Sequence, residues 1–264
     1  MKKLTLLILV ALLGLTPACK KKTDIRGEPV DYSADNVTLK GYLAYDHSIA
    51  DKRPGVLIVH EWWGLNDYAR KRAMMLAGLG YTALAVDMFG EGKQATHPKE
   101  AGEFAKEVSG NMKLMQDRFQ AALDLLKKQK TVDPERIAAI GYCFGGSVVL
   151  QMARSGLDIN GVVSFHGGLS TNNPARPGEV KTKILVCQGE ADSIAPPEQV
   201  AAFREEMDKA GADYRIITYP GAKHSFTNPD ADNYAKEFGI PVGYNAAADK
   251  KSWNDMQEFF KEIF

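Results

Sequence analysis

The stretch IAAIGYCFGGSVVL, residues 137–150, joins two apolar runs through a glycine-rich turn. The first run, residues 137–140, is short and apolar, as a buried strand would be. The second run, residues 148–150, opens a pattern with helical spacing. The stretch therefore predicts a strand, a sharp turn and a helix, with Cys143 at the apex of the turn. Taken alone, it fits equally well a buried structural cysteine in a strand-to-helix turn, so the rest of the chain has to decide.

A nucleophile between a strand and a helix is the nucleophile elbow of α/β-hydrolases, in which serine is the usual residue. We expect the turn to strain the backbone at Cys143, and side chains at positions 141 and 145 to collide with the neighbouring strand and helix. The predicted helix, which starts at Phe144, directs its free N–H groups and its positive dipole end at the Cys143 sulfur. That field favours the thiolate, which is the nucleophilic form of cysteine.

The composition is that of an ordinary globular domain. The chain has 264 residues, of which 45% are hydrophobic and 25% charged, enough for one large α/β domain. The 33 basic and 33 acidic residues cancel, so no basic excess points to a nucleic-acid partner. The three cysteines provide no disulfide framework, and each is interpreted separately.

The N-terminus has the pattern of an export signal. Residues 1–18 combine two lysines, an apolar run and small residues before Cys19, which predicts a signal peptide. Cys19 resembles the lipidated first residue of a bacterial lipoprotein, although Leu15 lies one position further away than usual. Ordinary cleavage after Ala18 therefore stays open. With residues 19–28 as a linker, the prediction is a monomeric periplasmic or outer-membrane lipoprotein whose only membrane contact is a lipid anchor at Cys19.

Strands and helices alternate from residue 54 to the C-terminus. This alternation predicts a mostly parallel central sheet with helices on both faces, in one domain over residues 29–264. Residues 37–45 are predicted as a strand of a hairpin at the edge of the sheet. Two irregular stretches, residues 170–180 and 224–246, follow strands, so both are expected at the edge of the sheet where ligands bind.

An acid and a histidine follow two later strands. Asp192 comes after the strand predicted at residues 183–188, and His224 after the one at residues 214–219. The chain order nucleophile, acid, base is that of α/β-hydrolases. In such a triad His224 takes the thiol proton and later protonates the leaving group, while Asp192 orients the imidazole.

The loop HEWWGL, residues 60–65, follows the strand expected beside the elbow. In hydrolases this loop supplies one oxyanion N–H and the residue after the nucleophile supplies the other. We assign these donors to the backbone of Trp62 and Phe144. Glu61 is unusual, because a carboxyl group beside a thiol can hold it protonated or take up its proton.

The remaining histidines have less defined roles. We expect His60 to hydrogen-bond at the sheet edge, His166 to line the pocket, and His47 and His97 to lie on the surface. No two of them have metal-ligand spacing, so neither a metal nor another cofactor is predicted. Cys187 lies in an apolar strand and is predicted to be a core residue.

From residue 28 to 264 the chain resembles the dienelactone hydrolase family of α/β-hydrolases. The matching motifs are HEWWGL at 60–65, AVDMFGEGK at 85–93, GYCFGG at 141–146, SFHGG at 164–168, GEAD at 189–192 and GAKHSFTNPDA at 221–231. The resemblance implies a Cys143-His224-Asp192 triad with Glu61 controlling the thiol. It also implies hydrolysis of a lactone or ester through an acyl-thioester.

Two departures bear on the substrate. The namesake enzymes hold a substrate carboxylate with two arginines, and neither aligned position is arginine here: one falls near Lys93 and the other near Asn228. Lysine and arginine are not equivalent carboxylate clamps. The expected substrate is therefore another small ester or lactone. The residues expected to bind it are Trp63, Phe89, Lys93, His166 and Phe226.

Three other functions stay open on the sequence alone. The same triad could serve a thioesterase or a peptidase. The chain could also be a binding protein that kept the hydrolase fold without turnover. Redox work by Cys143 is disfavoured, because no CxxC partner is present.

Overall fold

The computed structural model describes residues 23–264, and within them the chain forms eight strands and seven helices. The strands are β1 (Ile25–Ala34), β2 (Val37–Asp46), β3 (Arg53–Val59), β4 (Thr82–Val86), β5 (Val132–Tyr142), β6 (Gly161–Phe165), β7 (Lys183–Gly189) and β8 (Tyr214–Tyr219). The helices are α1 (Asp67–Gly78), α2 (Pro98–Ser109), α3 (Met112–Lys127), α4 (Phe144–Arg154), α5 (Pro197–Ala210), α6 (Ala231–Phe238) and α7 (Ala246–Ile263). The predicted signal peptide, Cys19 and the first part of the predicted linker lie outside the described residues.

All the described strands belong to one sheet in the order β1-β2-β4-β3-β5-β6-β7-β8. The strands from β3 to β8 run parallel, while β2 is antiparallel to both β1 and β4. Strand β5, which leads into Cys143, lies in the middle of this sheet. The mostly parallel sheet with helices on both faces, predicted from the alternation of strands and helices, is confirmed, and it is the architecture that the resemblance to α/β-hydrolases implies.

Two apolar cores cover the two faces of the sheet. Helices α3, α4 and α5 bury Phe119, Val148 and Phe203 on one face. Helices α1 and α7 bury Leu76 and Phe260 on the other. Because helices cover both faces, β3, β4 and β6 are buried along their whole length. Strands buried in this way are almost wholly apolar, which explains the continuous apolar runs in the sequence.

The first strand corrects one sequence-based prediction and refines another. Ile25 to Glu28 belong to β1, so the linker predicted to end at residue 28 is shorter in its described part. Strand β2 belongs to a hairpin at the edge of the sheet, as predicted, but it pairs on both sides and β1 is the edge strand. The two strands meet in a two-residue turn in which Asp35 and Asn36 have φ of 52° and 61°, the conformation of a tight hairpin.

The carboxyl ends of the parallel strands meet along one edge of the sheet. His60 and Glu61 follow β3 there, Cys143 follows β5, and the loops after β7 and β8 carry Asp192 and His224. Helix α6 lies inside the stretch 224–246 that the sequence predicts to be irregular. In residues 23–264 we find no helix that is both long and apolar enough to span a membrane.

Candidate active site

Cys143 occupies a strained turn between β5 and α4. Its φ is 53° and its ψ is −116°, outside the regions that residues with a side chain normally adopt. Its backbone N–H points back into the sheet, where it donates to the Phe165 carbonyl oxygen at 3.0 Å and to His166 Nδ1 at 3.1 Å. The half-buried thiol is thereby turned outwards at the N-terminal end of α4.

The glycines around the turn are sterically required, as predicted. A Cβ built on Gly141 would lie 2.0 Å from the Gly145 carbonyl oxygen. One built on Gly145 would lie 2.2 Å from the Val59 carbonyl oxygen in β3. Both obstacles are backbone atoms, so no side-chain rotation could relieve them. The missing side chains allow the start of α4 to approach β3 closely enough to position Cys143.

His224 and Asp192 form a buried pair. Asp192 Oδ2 accepts from His224 Nδ1 at 2.9 Å and from Gln188 Nε2 at 2.9 Å. Asp192 Oδ1 accepts the backbone N–H groups of Ile194 and Ala195 at 2.9 and 3.2 Å. Burial would raise the pKa of Asp192, but the His224 ring and these donors outweigh burial and keep that pKa below its usual value. Asp192 is therefore a fixed carboxylate that holds one nitrogen of the imidazole.

Cys143 and His224 lie in the wall of one cavity, close enough for Cys143 to influence the pKa of His224. Burial disfavours the imidazolium, but the neighbouring Cys143 and Asp192 favour it and raise the pKa of His224 to about 10. Opposite charges this close stabilise each other. The structure thus brings the three predicted triad residues together, with His224 between Cys143 and Asp192.

Glu61 contributes a second carboxyl group, whose pKa is raised where that of Asp192 is lowered. It is 2% exposed, and its Oε2 accepts from Asn228 Nδ2 at 2.5 Å. Its Oε1 is buried without a hydrogen-bond partner among residues 23–264. Burial raises the pKa of Glu61, against the opposing effects of Asn228 and of the His224 charge. A buried carboxyl group with an elevated pKa is better suited than an exposed one to take up and release a proton within the site.

The two amides predicted to bind an oxyanion are available. Neither the Trp62 N–H nor the Phe144 N–H donates to an acceptor within the described part of the chain. Phe144 is the first residue of α4, where N–H groups have no partner inside the helix. The side chains of both residues line the same cavity as Cys143.

This cavity has a volume of about 280 Å³, and Cys143 and His224 lie in its wall. Ile194, Ile240 and Val242 line it too, together with Trp62 and Phe144. Of the described residues that line it, none is a lysine or an arginine. Sequence reasoning missed the wall formed by residues 240–242. The position of those residues depends on α6, which the sequence pattern did not reveal.

The five residues predicted to bind substrate do not line this cavity. Trp63 is buried against Tyr234, and Lys93 is exposed with its ammonium over the Phe104 ring. Phe89 packs on His60 and Phe144, and Phe226 packs on His166. Each follows a strand end, as predicted, but the four aromatic side chains turn into the packing beneath the loops and Lys93 lies on the surface. His166 is fully buried and bonds to the Cys143 backbone instead of lining the pocket.

The other predicted positions can also be located. His60 donates from Nδ1 to the Glu61 carbonyl oxygen at 2.6 Å and accepts the Met88 N–H at 3.2 Å, which confirms its hydrogen bonding at the sheet edge. His47 and His97 are exposed, as predicted, and His97 caps α2. Cys187 is fully buried, and burial raises its pKa to about 12, as expected for a core thiol. Residues 23–264 contain no cluster of three or more side chains suited to hold a metal ion.

Comparison with known proteins assigns the family. The model of the dienelactone hydrolase family matches residues 39–264. The chain belongs to the dienelactone hydrolase family. As a member of that family it is a hydrolase that acts on carboxylic ester bonds. The resemblance recognised from the motifs around Glu61, Cys143 and His224 is therefore confirmed.

Similar proteins extend over most of the chain. Protein usf of Aquifex pyrophilus is 27% identical over 241 residues, which cover 89% of this chain and 98% of that protein. A dienelactone hydrolase-like promiscuous phosphotriesterase from metagenomic libraries is 35% identical, with a TM-score of 0.83 over 91% of this chain and 99% of that one.

A more distant structure shows the fold alone. The acylaminoacyl peptidase of Pyrococcus horikoshii is 16% identical, with a TM-score of 0.66 over 92% of this chain and 42% of that one. The fold of this dienelactone hydrolase family member is thus shared with hydrolases whose substrates differ widely, and the fold does not identify the bond that is cleaved.

Proposed function

We propose that this protein hydrolyses small, uncharged esters or lactones through Cys143, His224 and Asp192, with an acyl-thioester intermediate. The observation that carries the proposal is that Cys143 and His224 lie in the wall of an apolar cavity of about 280 Å³, with Asp192 hydrogen-bonded to His224 behind them. Family membership gives the bond class, and the site supports the finer mechanism. The small cavity favours a compact acyl or alcohol group.

The attacking group in this mechanism is the Cys143 sulfur. Its electron pair forms a bond to the carbonyl carbon, and the carbonyl oxygen becomes an oxyanion beside the N–H groups of Trp62 and Phe144. Donors placed where charge develops stabilise the transition state, and removing one such donor typically costs about 100- to 1000-fold in turnover. The unpaired state of both amides supports this assignment.

His224 moves the protons. It holds the proton that the thiol gives up and delivers it to the leaving alkoxide as the carbon–oxygen bond breaks, which leaves an acyl-thioester on Cys143. It then takes a proton from water, whose oxygen attacks the thioester carbonyl, and returns it to the departing sulfur. Asp192 remains ionised throughout and stabilises the imidazolium through Nδ1. The products are an acid and an alcohol.

Glu61 is proposed to set the resting state of the thiol. Its burial and raised pKa suit a group that takes up or releases a proton as the site fills. Its observed donor is Asn228, four residues after His224 in the same loop. Sequence reasoning noted this position only as one that lacks arginine. The hydrogen bond from Asn228 keeps the Glu61 carboxyl group close to the His224 loop. Because asparagine is neutral, it does so without placing a positive charge beside that carboxyl group.

The composition of the cavity supports a neutral substrate. Lys93, the only candidate to replace the first missing arginine, is exposed beside Phe104. Asn228, at the second position, is buried and bonded to Glu61. A substrate carboxylate would therefore enter an apolar cavity without a cationic partner, which is costly.

The proposal is tested by replacing Cys143 with alanine and measuring hydrolysis of p-nitrophenyl acetate. We expect the Cys143→Ala variant to lose turnover to near background, because it lacks the sulfur that attacks the carbonyl carbon. Cys187→Ala is the matched control, since it removes the buried thiol of β7 and should keep activity. Retained activity in Cys143→Ala would exclude the mechanism.

The competing functions are separated by two further measurements. A panel of acyl thioesters and peptides beside esters distinguishes a thioesterase or a peptidase on the same three residues. Iodoacetamide labelling tests a binding protein without turnover: a Cys143 that reacts no faster than a model-peptide thiol would favour it.

Phosphotriester cleavage is a second candidate activity. The observation that favours it is the relative of 35% identity that is named a promiscuous phosphotriesterase. The Cys143 thiolate would attack phosphorus and release the aryloxide, and water would then break the sulfur–phosphorus bond to give the phosphate diester and the free thiol. Turnover of paraoxon that disappears in Cys143→Ala would support this activity, and its absence from the wild type would exclude it.

We also propose that the protein is exported and anchored through Cys19. The support is the pattern of residues 1–18 and the cysteine that follows. Labelled palmitate fed to the producing bacterium should appear on the wild type and not on Cys19→Ser. Export without label would favour cleavage after Ala18 by the ordinary signal peptidase, and retention in the cytoplasm would contradict the proposal.

A further inference from the structure

His166 is buried beneath the site in an unusual backbone conformation. It follows β6, is 0% exposed, and has a φ of 41°, in the left-handed region that disfavours residues with a side chain. Its ring packs against His224 with centroids 5.3 Å apart and against Phe226 at 5.2 Å. A strained and fully buried polar residue needs a compensating interaction.

Both ring nitrogens of His166 have partners that fix the position of its proton. Nδ1 lies 3.1 Å from the Cys143 backbone nitrogen, which can only donate, so Nδ1 accepts and carries no hydrogen. The ring proton is then on Nε2, which lies 2.7 Å from Thr227 Oγ1. The geometry therefore selects one neutral tautomer, with Nε2 protonated.

The bonds continue beyond Thr227 to a buried cation. Thr227 Oγ1 lies 2.6 Å from the Tyr68 hydroxyl, which accepts from Arg72 Nε at 3.3 Å. Arg72 is itself held by the Thr227 carbonyl oxygen at 2.7 Å and by Asp249 at 2.6 Å. A chain of hydrogen bonds thus runs from α7 and α1 to the amide of Cys143.

The surroundings also oppose a second proton on the ring. Burial lowers the pKa of His166 well below its usual value, and the charges of His224 and Arg72 lower it further. A protonated Nδ1 would face the Cys143 N–H donor to donor. The neutral ring is the only form compatible with the observed elbow.

We infer that His166 is a positioning residue that holds the strained Cys143 amide in place, with Thr227 and Tyr68 selecting the tautomer that can do so. The hydrogen bonds to Nδ1 and to the Phe165 carbonyl oxygen orient the peptide group that leads into the elbow. They thereby stabilise the φ of 53° that turns the thiol towards His224. The inference rests on the proposed role of Cys143 as the nucleophile.

The tautomer can be observed directly in the full-length protein. In ¹⁵N-histidine NMR spectra, assigned with His166→Asn, the wild-type ring should show a protonated Nε2 and an unprotonated Nδ1 from pH 6 to 9. A ring with Nδ1 protonated, or one that titrates to imidazolium in this range, would overturn the inference. This readout does not depend on turnover.

A matched pair of variants tests the consequence. Thr227→Val keeps the shape but removes the acceptor for Nε2–H, while Thr227→Ser keeps the hydroxyl. We expect Thr227→Val to lower kcat about fivefold with KM within about twofold, since one hydrogen bond is worth about 1 kcal/mol and about 1.4 kcal/mol corresponds to a tenfold change in rate. Thr227→Ser should stay near the wild type. Equal kcat in both variants would overturn the inference.

The outcomes remain separable from those of the proposed function. Activity retained in Cys143→Ala would end the proposed mechanism whatever the tautomer of His166. A correct mechanism with the wrong tautomer would end only the positioning role. If Thr227→Val does not fold, the wild-type spectrum decides the question.

Discussion

Asp192 and Glu61 place two carboxyl groups in one site, and their environments move them in opposite directions. Asp192 receives donors on both oxygens, which holds its pKa low. Glu61 has one oxygen bonded to Asn228 and one unpaired, and burial raises its pKa. Carboxyl groups whose pKa values diverge in this way commonly divide the work of a site. This divergence supports the proposed roles, in which Asp192 stabilises the charge of His224 and Glu61 changes its own protonation state.

The charge on His224 should depend on Cys143. Replacing Cys143 with alanine removes a partner that favours the imidazolium, so we expect the pKa of His224 to fall from its raised value of about 10. The measurement is an NMR titration of the His224 ring. Cys187→Ala, a change at a thiol that is hydrogen-bonded to Tyr219, should leave the titration as in the wild type. A His224 pKa that is the same in both variants would contradict the paired site.

Particular residues show how far the sequence could reach at this scale. Chain order was enough to bring Cys143, Asp192 and His224 together, since each follows a strand that ends at the same edge of the sheet. It was not enough for Phe89 or Phe226. A loop has no regular spacing from which the direction of a side chain could be predicted, and both of these side chains turn into the core. Asn228 was missed because its role depends on Glu61, a residue 167 positions away.

At the scale of elements, the junction between β5 and α4 determines the site. Gly145 lets α4 begin against β3, so alanine there should destabilise the protein by about 3 kcal/mol or more, because the obstacle is backbone. Gly102, in the middle of α2, has nothing within 4 Å of a built Cβ. Alanine there should stabilise by about 0.5–1 kcal/mol through helix propensity.

Urea unfolding of both variants measures the difference between these two glycines. The predicted result is a lower midpoint for Gly145→Ala and an equal or higher midpoint for Gly102→Ala. A Gly145→Ala protein as stable as the wild type would mean that α4 does not press on β3 as described.

Helix α6 is the element that closes the site. Tyr234 and Phe238 on α6 pack on Trp63, with ring centroids 4.7 and 6.0 Å away, and the chain then continues into the cavity wall at 240–242. Phe238→Ala should therefore loosen the wall and raise KM for apolar esters several-fold, with a smaller effect on kcat. Phe238→Leu keeps an apolar contact and serves as the control. An unchanged KM in Phe238→Ala would show that α6 does not support the wall.

The elements that the sequence did not predict share a physical cause. Helix α6 has apolar residues at helical spacing, at positions 231, 234, 235 and 238. With only eight residues, that pattern is too short to outweigh the prolines and glycines of the surrounding loop. Strand β1 contains Gly27 and Pro29, which normally weaken a strand assignment but are tolerated at an edge. The long amphipathic helices and the buried strands were predicted because the residues they bury are apolar and recur at a regular spacing.

At the scale of the whole molecule, the absence of lysine and arginine from the described cavity wall should favour neutral over anionic substrates. We compare the p-nitrophenyl monoester of succinate, which carries a free carboxylate, with the same compound as its methyl ester. The anionic form should have a kcat/KM about tenfold or more lower, because its carboxylate would be buried without a cationic partner. His224, the one cationic group in the wall, is already paired with Asp192. Equal rates for the two compounds would contradict a neutral substrate.

The central claim is that Cys143 becomes acylated during turnover. The most direct measurement is to mix the protein with p-nitrophenyl acetate, quench with acid within the first turnovers, and locate the acetyl group by peptide mass spectrometry. The account predicts one acetyl group on the peptide that contains Cys143, and its loss as water resolves the thioester. Release of p-nitrophenol with no acetyl group on Cys143, or with the group on another residue, would contradict it.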